Sequence, residues 1–221
     1  MAPGVIFDID GTLVDTNYLH TLAWYRAFAE VGEAVPMYRI HSCIGMGAQQ
    51  LIKKLIGQER PELSDLHSRQ YSSLREEGQP FDRAADLLRE IARRGGSVVL
   101  ATSAKPDELE VLLRKLEAED AIQEVISSKD VEAAKPEPDV FAKALEAGRL
   151  DRRRSVAVGD SLWDLAAAGR CGLRCIALLT GGTAACELEA AGAAGVSPSP
   201  AHLLEHIDTN LVGRVLRGEP L

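Results

Sequence analysis

Short β-branched runs alternate with segments of helical period along most of this chain, and that alternation leaves very few fold classes open. The runs 5–8, SVVLA (97–101), SVAVG (155–159) and LRCIAL (173–178) read as strands. EVIS (124–127) and the segment near Val196 are further candidates. Apolar spacing predicts helices over 82–93, 106–116, 138–147, 162–171, 187–191 and 201–207. Elements alternating in this way pack as an α/β protein, a doubly wound parallel sheet with helices on both faces.

One region breaks the alternation. Between the first strand and the rest, helical spacing recurs over 18–31, 48–56 and 62–77, with no strand-like run among them. Gly78 and Pro80 close the block. The economical reading is a core of residues 1–16 and 81–221, with a small all-helical domain of residues 17–80 inserted after the first strand.

The bulk properties exclude several classes. The chain is 46% hydrophobic and 26% charged, an ordinary composition for a soluble globular protein. A net charge of −8 argues against a nucleic-acid partner, and Arg152, Arg153 and Arg154 read as a solvated loop after a helix. Cys43, Cys171, Cys175 and Cys186 form no CxxC pair and have no histidine at zinc spacing, so reduced thiols and a cytoplasmic location are expected. No signal peptide opens the chain, and no apolar stretch of about 18 residues offers a membrane span. No interface signal is visible, and a monomer is the expectation.

In an open parallel sheet, ligands bind beyond the carboxyl ends of the strands. The first strand delivers Asp8 and Asp10, in VIFDIDGTLVDT (5–16). Two carboxylates so close repel and lose hydration, which calls for a cation or for one of them to serve as an acid. SVVLA delivers Thr102 and Ser103, followed by Lys105; AAKPEPDVF (133–141) offers Lys135; SVAVG delivers Asp160, with Asp164 a turn later. Carboxylates, hydroxyls and an ammonium suit phosphoryl chemistry on Mg²⁺, which takes hard oxygen ligands. Each residue also has a plain structural role. Asp164 fits a capping box with Ser161, Thr102 and Ser103 could cap the helix from Pro106, and Lys135 taken alone reads as a surface residue. The joint occurrence in this order favours the chemical reading.

The set FDIDGTLVDT, ATSAKP, AKPEPDVF and VGDSLWDL resembles the four-motif signature of the haloacid dehalogenase superfamily, and the match covers nearly the whole chain. The helical insertion resembles the small cap of its phosphatase and β-phosphoglucomutase-like branch, on a Rossmann-like core. The resemblance implies that Asp8 is the nucleophile and a Mg²⁺ ligand. It implies that Asp10 is the general acid and base, touching the metal through its backbone carbonyl. Thr102 matches the phosphate-binding hydroxyl, with Ser103 beside it, and Lys135 the lysine that holds nucleophile and phosphate. Asp160 matches the acidic metal ligand and Asp164 its direct or outer-shell partner. In the cap, His20 matches a histidine of phosphoglucomutase-like relatives, against the plain alternative of an exposed helix residue. CIGMGAQQ (43–50) looks like the substrate-facing loop, where Gly45, Met46 and Gly47 are candidates; a helix-start loop explains them equally. One departure is GQPFDRAADLL (78–88), where many relatives carry Pro-Gly before the helix.

The expected function is a Mg²⁺-dependent phosphatase acting on a small phosphorylated metabolite, phosphoglycolate or a sugar phosphate, through an aspartyl-phosphate. A β-phosphoglucomutase-type mutase is the alternative. A haloacid dehalogenase is disfavoured because that branch needs no acid at Asp10. A phosphonate-cleaving relative is disfavoured likewise, although Lys53 and Lys54 in the cap argue for keeping it in view. A non-enzymatic phospho-acceptor module is improbable, since such receivers are shorter and lack the helical insertion.

Overall fold

The computed structural model describes all residues, 1–221. In chain order the elements are β1 (Ala2–Phe7), β2 (Val14–Asp15), α1 (Asn17–Glu30), α2 (Met37–His41), α3 (Ala48–Ile56), α4 (Glu62–Ser72) and β3 (Gln79–Pro80). There follow α5 (Ala84–Arg93), β4 (Ser97–Ala101), α6 (Pro106–Leu116), β5 (Glu124–Ile126), α7 (Asp139–Ala147), β6 (Leu150–Gly159) and α8 (Leu162–Arg170). The chain ends with β7 (Arg174–Leu178), α9 (Ala185–Ala190), β8 (Gly195–Ser197), α10 (Pro200–Glu205) and α11 (Leu211–Leu216).

Six strands form one parallel sheet in the order β5-β4-β1-β6-β7-β8. Strand alternation sorts the apolar side chains onto two faces. Val5, Phe7, Val98, Leu100, Val156 and Val158 face a core completed by α5, α6, α10 and α11. Ile6, Val99, Ala101, Ala157 and Ala177 face another, completed by α7, α8 and α9. Both faces are thus covered, as the near-continuous apolar strands require. The chain leaves β1 for β4 and β5 on one side and returns through β6 to the other, so a crevice opens at the carboxyl ends of β1 and β6.

Helices α1 to α4 have a separate core, built around Trp24, Phe28, Ile40, Leu51, Ile52 and Leu63. The chain runs into this group from β2 and out of it through β3, which pair antiparallel as Val14 with Pro80 and Asp15 with Gln79. This ribbon corrects the expectation of helix alone up to Pro80. Two residues per strand carry no periodicity, so only the pairing reveals it.

Other differences are local. The helix expected to reach Glu77 ends at Ser72, and α2 and α11 are too short for a periodic signal. Arg152, Arg153 and Arg154 lie inside β6 rather than in a loop, because that strand starts at Leu150, beside Ala2 at the sheet margin. At the place of the missing Pro-Gly pair, Arg83 takes a left-handed conformation with φ 58° before α5, a position that favours glycine. Cys43, Cys171 and Cys175 are buried and Cys186 is exposed.

Phe141 on α7 is completely buried against the sheet. Phe141→Ala is expected to lower the unfolding free energy by about 3–5 kcal/mol in urea titration, through lost burial and a residual cavity.

Candidate active site

Asp8 and Asp10 directly follow β1, in a turn where the amide of Leu13 donates to the carbonyl of Ile9 (2.8 Å) and that of Gly11 to Val14 (2.8 Å). Around Asp8 the structure brings together Asp160, just after β6, and Asp164, in the first turn of α8. One carboxylate oxygen from each of these three buried residues lies within 4.8 Å of the others. Lys135 is buried as well: its Nζ stands 2.6 Å from Asp8 Oδ1, 2.7 Å from Asp164 Oδ1 and 3.2 Å from the Ala101 carbonyl. The reading of Lys135 as a surface residue is therefore corrected. Its position depends on the loop between β5 and α7, which carries it to Asp8, Asp164 and the carbonyl at the end of β4.

Asp164 fills both roles weighed for it. Its Oδ2 accepts from the Ser161 amide (3.1 Å) and hydroxyl (2.6 Å), closing the capping box. Its Oδ1 meets Lys135 outside hydrogen-bond geometry and has no hydrogen-bond donor although it is buried. Asp160 is held at both oxygens, by Thr12 Oγ1 (2.8 Å) and Asn17 Nδ2 (2.8 Å). Three carboxylates against one ammonium leave a buried excess of negative charge. Hard oxygen donors, one of them without a donor of its own, fit a divalent cation.

Asp10 turns away from this cluster. Its Oδ1 accepts from Thr16 Oγ1 (2.7 Å) and meets His20 Nε2 (3.3 Å), while Oδ2 accepts a long bond from Thr102 Oγ1 (3.4 Å). Its carboxylate is thus not one of the clustered ligands, and the resemblance assigns only its backbone carbonyl to the metal. Thr102 Oγ1 also accepts from the Ala104 amide (3.0 Å). The reading of His20 as an exposed helix residue is overturned. Its ring stacks on Tyr71 at 3.8 Å, and Nδ1 lies 3.2 Å from Nε2 of His67, which in turn stacks on Trp24.

The surroundings push these groups apart. Burial, reinforced by Asp164 and Asp160, raises the Asp8 carboxyl well above the usual range despite Lys135. Burial and Asp164 push Asp160 up to about 7. Burial opposes ionisation of Asp10 too, but the His20 and Thr16 contacts outweigh it and lower its pKa. Burial would lower His20, yet Asp10 raises it; burial lowers His67 well below the histidine range.

A cavity of about 260 Å³ lies over Asp8, Asp10, Thr102, Ser103 and Lys135, closed from the helical side by His20, Gly45, Met46 and Gly47. The two glycines come so close to the core that side chains would collide. A Cβ on Gly45 would meet Ser161 Oγ at 2.8 Å, and one on Gly47 would meet the Ala134 methyl at 2.5 Å. The Gly47 amide donates to the Lys135 carbonyl (3.1 Å), so close approach adds to its place at the start of α3. Lys53 and Lys54 are elsewhere, beside Glu59 and over the Trp163 ring. Sequence reasoning missed Thr12, Thr16, Asn17, His67 and Glu108, the last also in the cavity wall. Thr12 and Thr16 stand inside the first motif and could have been suspected there. His67 and Glu108 carry no local signal.

Asp160 and Asp8 bind a proton more tightly in the folded chain than in the unfolded one. The stabilising contribution of Asp160 is present below the ordinary carboxylate range and is lost as pH rises through about 7, and that of Asp8 is lost in the same direction. In chelator, the melting temperature relative to Asp160→Asn should therefore fall between about pH 5 and about pH 8. A divalent cation should raise it most at the upper end; a difference independent of both pH and cation would contradict a shared buried site.

Comparisons with known proteins place the chain in a family. A family model described as haloacid dehalogenase-like hydrolase matches residues 5–178. CbbY of Cereibacter sphaeroides is 32% identical over 193 residues, 80% of this chain and 84% of that protein. A crystal structure of CbbY from Rhodobacter sphaeroides in complex with xylulose-(1,5)bisphosphate is 28% identical, with a TM-score of 0.76 over 92% of this chain and 96% of that one. The phosphoglycolate phosphatase of Yersinia pestis is 29% identical over 192 residues, 80% of this chain and 81% of that protein. A hydrolase from Pseudomonas syringae superposes with a TM-score of 0.88 at 32% identity, covering 93% of this chain and 98% of that one. With the family model spanning most of the sheet and every strand end of the site, the chain belongs to the haloacid dehalogenase-like hydrolases.

Proposed function

We propose that this hydrolase is a Mg²⁺-dependent phosphatase of small-metabolite phosphomonoesters. The carrying observation is the division of labour at the end of β1: Asp8 is held by Lys135 at 2.6 Å among carboxylates, while Asp10, two residues on, faces Thr16, His20 and Thr102. Asp8, Asp160 and Asp164 would hold the cation, with Asp164 direct or one shell out. When bound, Mg²⁺ supplies the positive charge that keeps these carboxylates ionised and withdraws charge from a phosphate oxygen.

Asp8 attacks phosphorus and the ester oxygen leaves, giving an aspartyl-phosphate. Lys135 Nζ keeps the attacking carboxylate oriented and offsets charge on the phosphoryl oxygens, and Thr102 Oγ1, with Ser103 beside it, donates to them. The leaving oxygen takes its proton from Asp10. The raised His20 holds the proton beside the ionised Asp10 and passes it to that carboxylate as Asp10 protonates the leaving oxygen. Asp10 then removes a proton from the water that attacks the phosphoryl group and frees Asp8.

Residues 17–80 act as a cap over a core of 1–16 and 81–221, with the β2–β3 ribbon as the connection that lets it open. Gly45, Met46 and Gly47 seat it over the ester and shield the intermediate from bulk water. A cavity of about 260 Å³ suits a small metabolite and not a phosphoprotein. The relatives' names support this class: one is a phosphoglycolate phosphatase, another was crystallised with a sugar bisphosphate.

Release of inorganic phosphate from a panel of small monoesters, with Mg²⁺ and with chelator, tests the proposal. Asp8→Asn should lower turnover by at least about a thousandfold while leaving the fold intact. Conversion of β-glucose 1-phosphate to glucose 6-phosphate without net phosphate release would replace the hydrolase with a mutase.

A further inference from the structure

The cavity beyond the phosphoryl end has a chemistry of its own. Trp24, Ile44, Leu51, Val131 and Val140 form apolar parts of its wall. Besides Asp8, Asp10 and Lys135 its ionisable groups are Lys105, Glu108, Glu132, His67 and His20, the last engaged by Asp10, and no arginine lines it. Lys105 Nζ donates to Ser68 Oγ (2.7 Å), and Lys135 is committed to Asp8 and Asp164. A second phosphate or a carboxylate on the substrate would meet two carboxylates and a single ammonium already engaged by the cap.

Glu108 sits in the first turn of α6 and is only 7% exposed. Its Oε2 accepts from the Lys105 amide (3.3 Å), which fixes the side chain, while Oε1 accepts no bond from the protein. A carboxylate oxygen that accepts nothing from the protein, on the wall of a small cavity that also carries apolar side chains, calls for a donor on the ligand.

We propose, on the basis of the phosphatase reading above, that Glu108 is the specificity residue of this site and that the substrate is the monophosphate of a small uncharged sugar or polyol, one hydroxyl of which donates to Glu108 Oε1. The apolar wall covers the carbon skeleton. Glu108 and Glu132 disfavour bodies that carry a second anionic group, and so separate this chain from enzymes built for bisphosphates or for phosphoglycolate.

The test measures kcat/KM for sugar and polyol monophosphates from glycerol phosphate to hexose phosphates, for the matching bisphosphates, for phosphoglycolate, and for p-nitrophenyl phosphate as internal reference. The preferred monophosphate should exceed its bisphosphate and phosphoglycolate by at least about tenfold. Glu108→Ala should lower the ratio of that monophosphate to p-nitrophenyl phosphate by about tenfold or more. Glu108→Gln, whose amide oxygen still accepts from the Lys105 amide, should retain part of the ratio and relax discrimination against the bisphosphate. Because each ratio is taken on one sample, a partly unfolded variant leaves it unchanged. An unaltered ratio in both variants, or wild-type preference for a bisphosphate or phosphoglycolate, overturns the proposal alone. Absence of hydrolysis of every ester, the reference included, overturns the phosphatase reading with it.

Discussion

Lys135 is the cation on which the arrangement of buried charge depends. Its ammonium lies between Asp8 and Asp164, with 1% of its side chain exposed. An isolated ammonium or carboxylate at this depth would shed its charge. Burial disfavours the charged lysine, but its two carboxylates more than compensate, and it stays protonated. One ammonium cannot balance three carboxylates, and the surplus appears in the raised Asp8 and Asp160. The protein therefore holds a site that is unfavourable when empty and favourable to a dication. Its three carboxylates sit at two strand ends and one helix start, with Asp160 tied down by Thr12 and Asn17, Asp164 by Ser161, and Asp8 by Lys135 itself.

The parallel sheet makes that convergence possible. With all six strands pointing the same way, the residues after β1, β4 and β6 meet at one edge, and the reversal of winding at β1 opens the crevice there. The helical segment meets this edge with backbone at Gly45 and Gly47 and lines the cavity with the rings of Trp24, His20 and His67, His20 being stacked on Tyr71 behind it. Contact through glycine lets the two parts approach without a side chain between them. Contact through stacked rings gives the histidine next to Asp10 a fixed position in an apolar setting, where its hydrogen bond to the carboxylate is stronger than in water.

Much of this was legible beforehand. The doubly wound sheet followed from alternating periods, and Asp8, Asp10, Thr102 and Asp160 from their places just beyond strand-like runs. Asp164 was legible as a cap because the Ser161 spacing is local. The structure also gave it a second, long-range partner, Lys135. The ribbon at 14–15 and 79–80, the short helices α2 and α11 and the true start of β6 escaped, because a few residues cannot display a period.

The sequence by itself determined which of the longer backbone segments become strands and helices, and therefore which side chains follow the central strands to the carboxyl edge of the sheet, because those preferences act over a few neighbouring residues. Only the tertiary structure decided that Lys135 is buried between two carboxylates, that Asp10 faces His20 instead of the carboxylate cluster, and that Glu108 looks into the cavity. Each of those facts depends on a partner tens of residues away in the chain, except at Asp10. There the partner is near, but it is the packing of α1 against α4 that aims it.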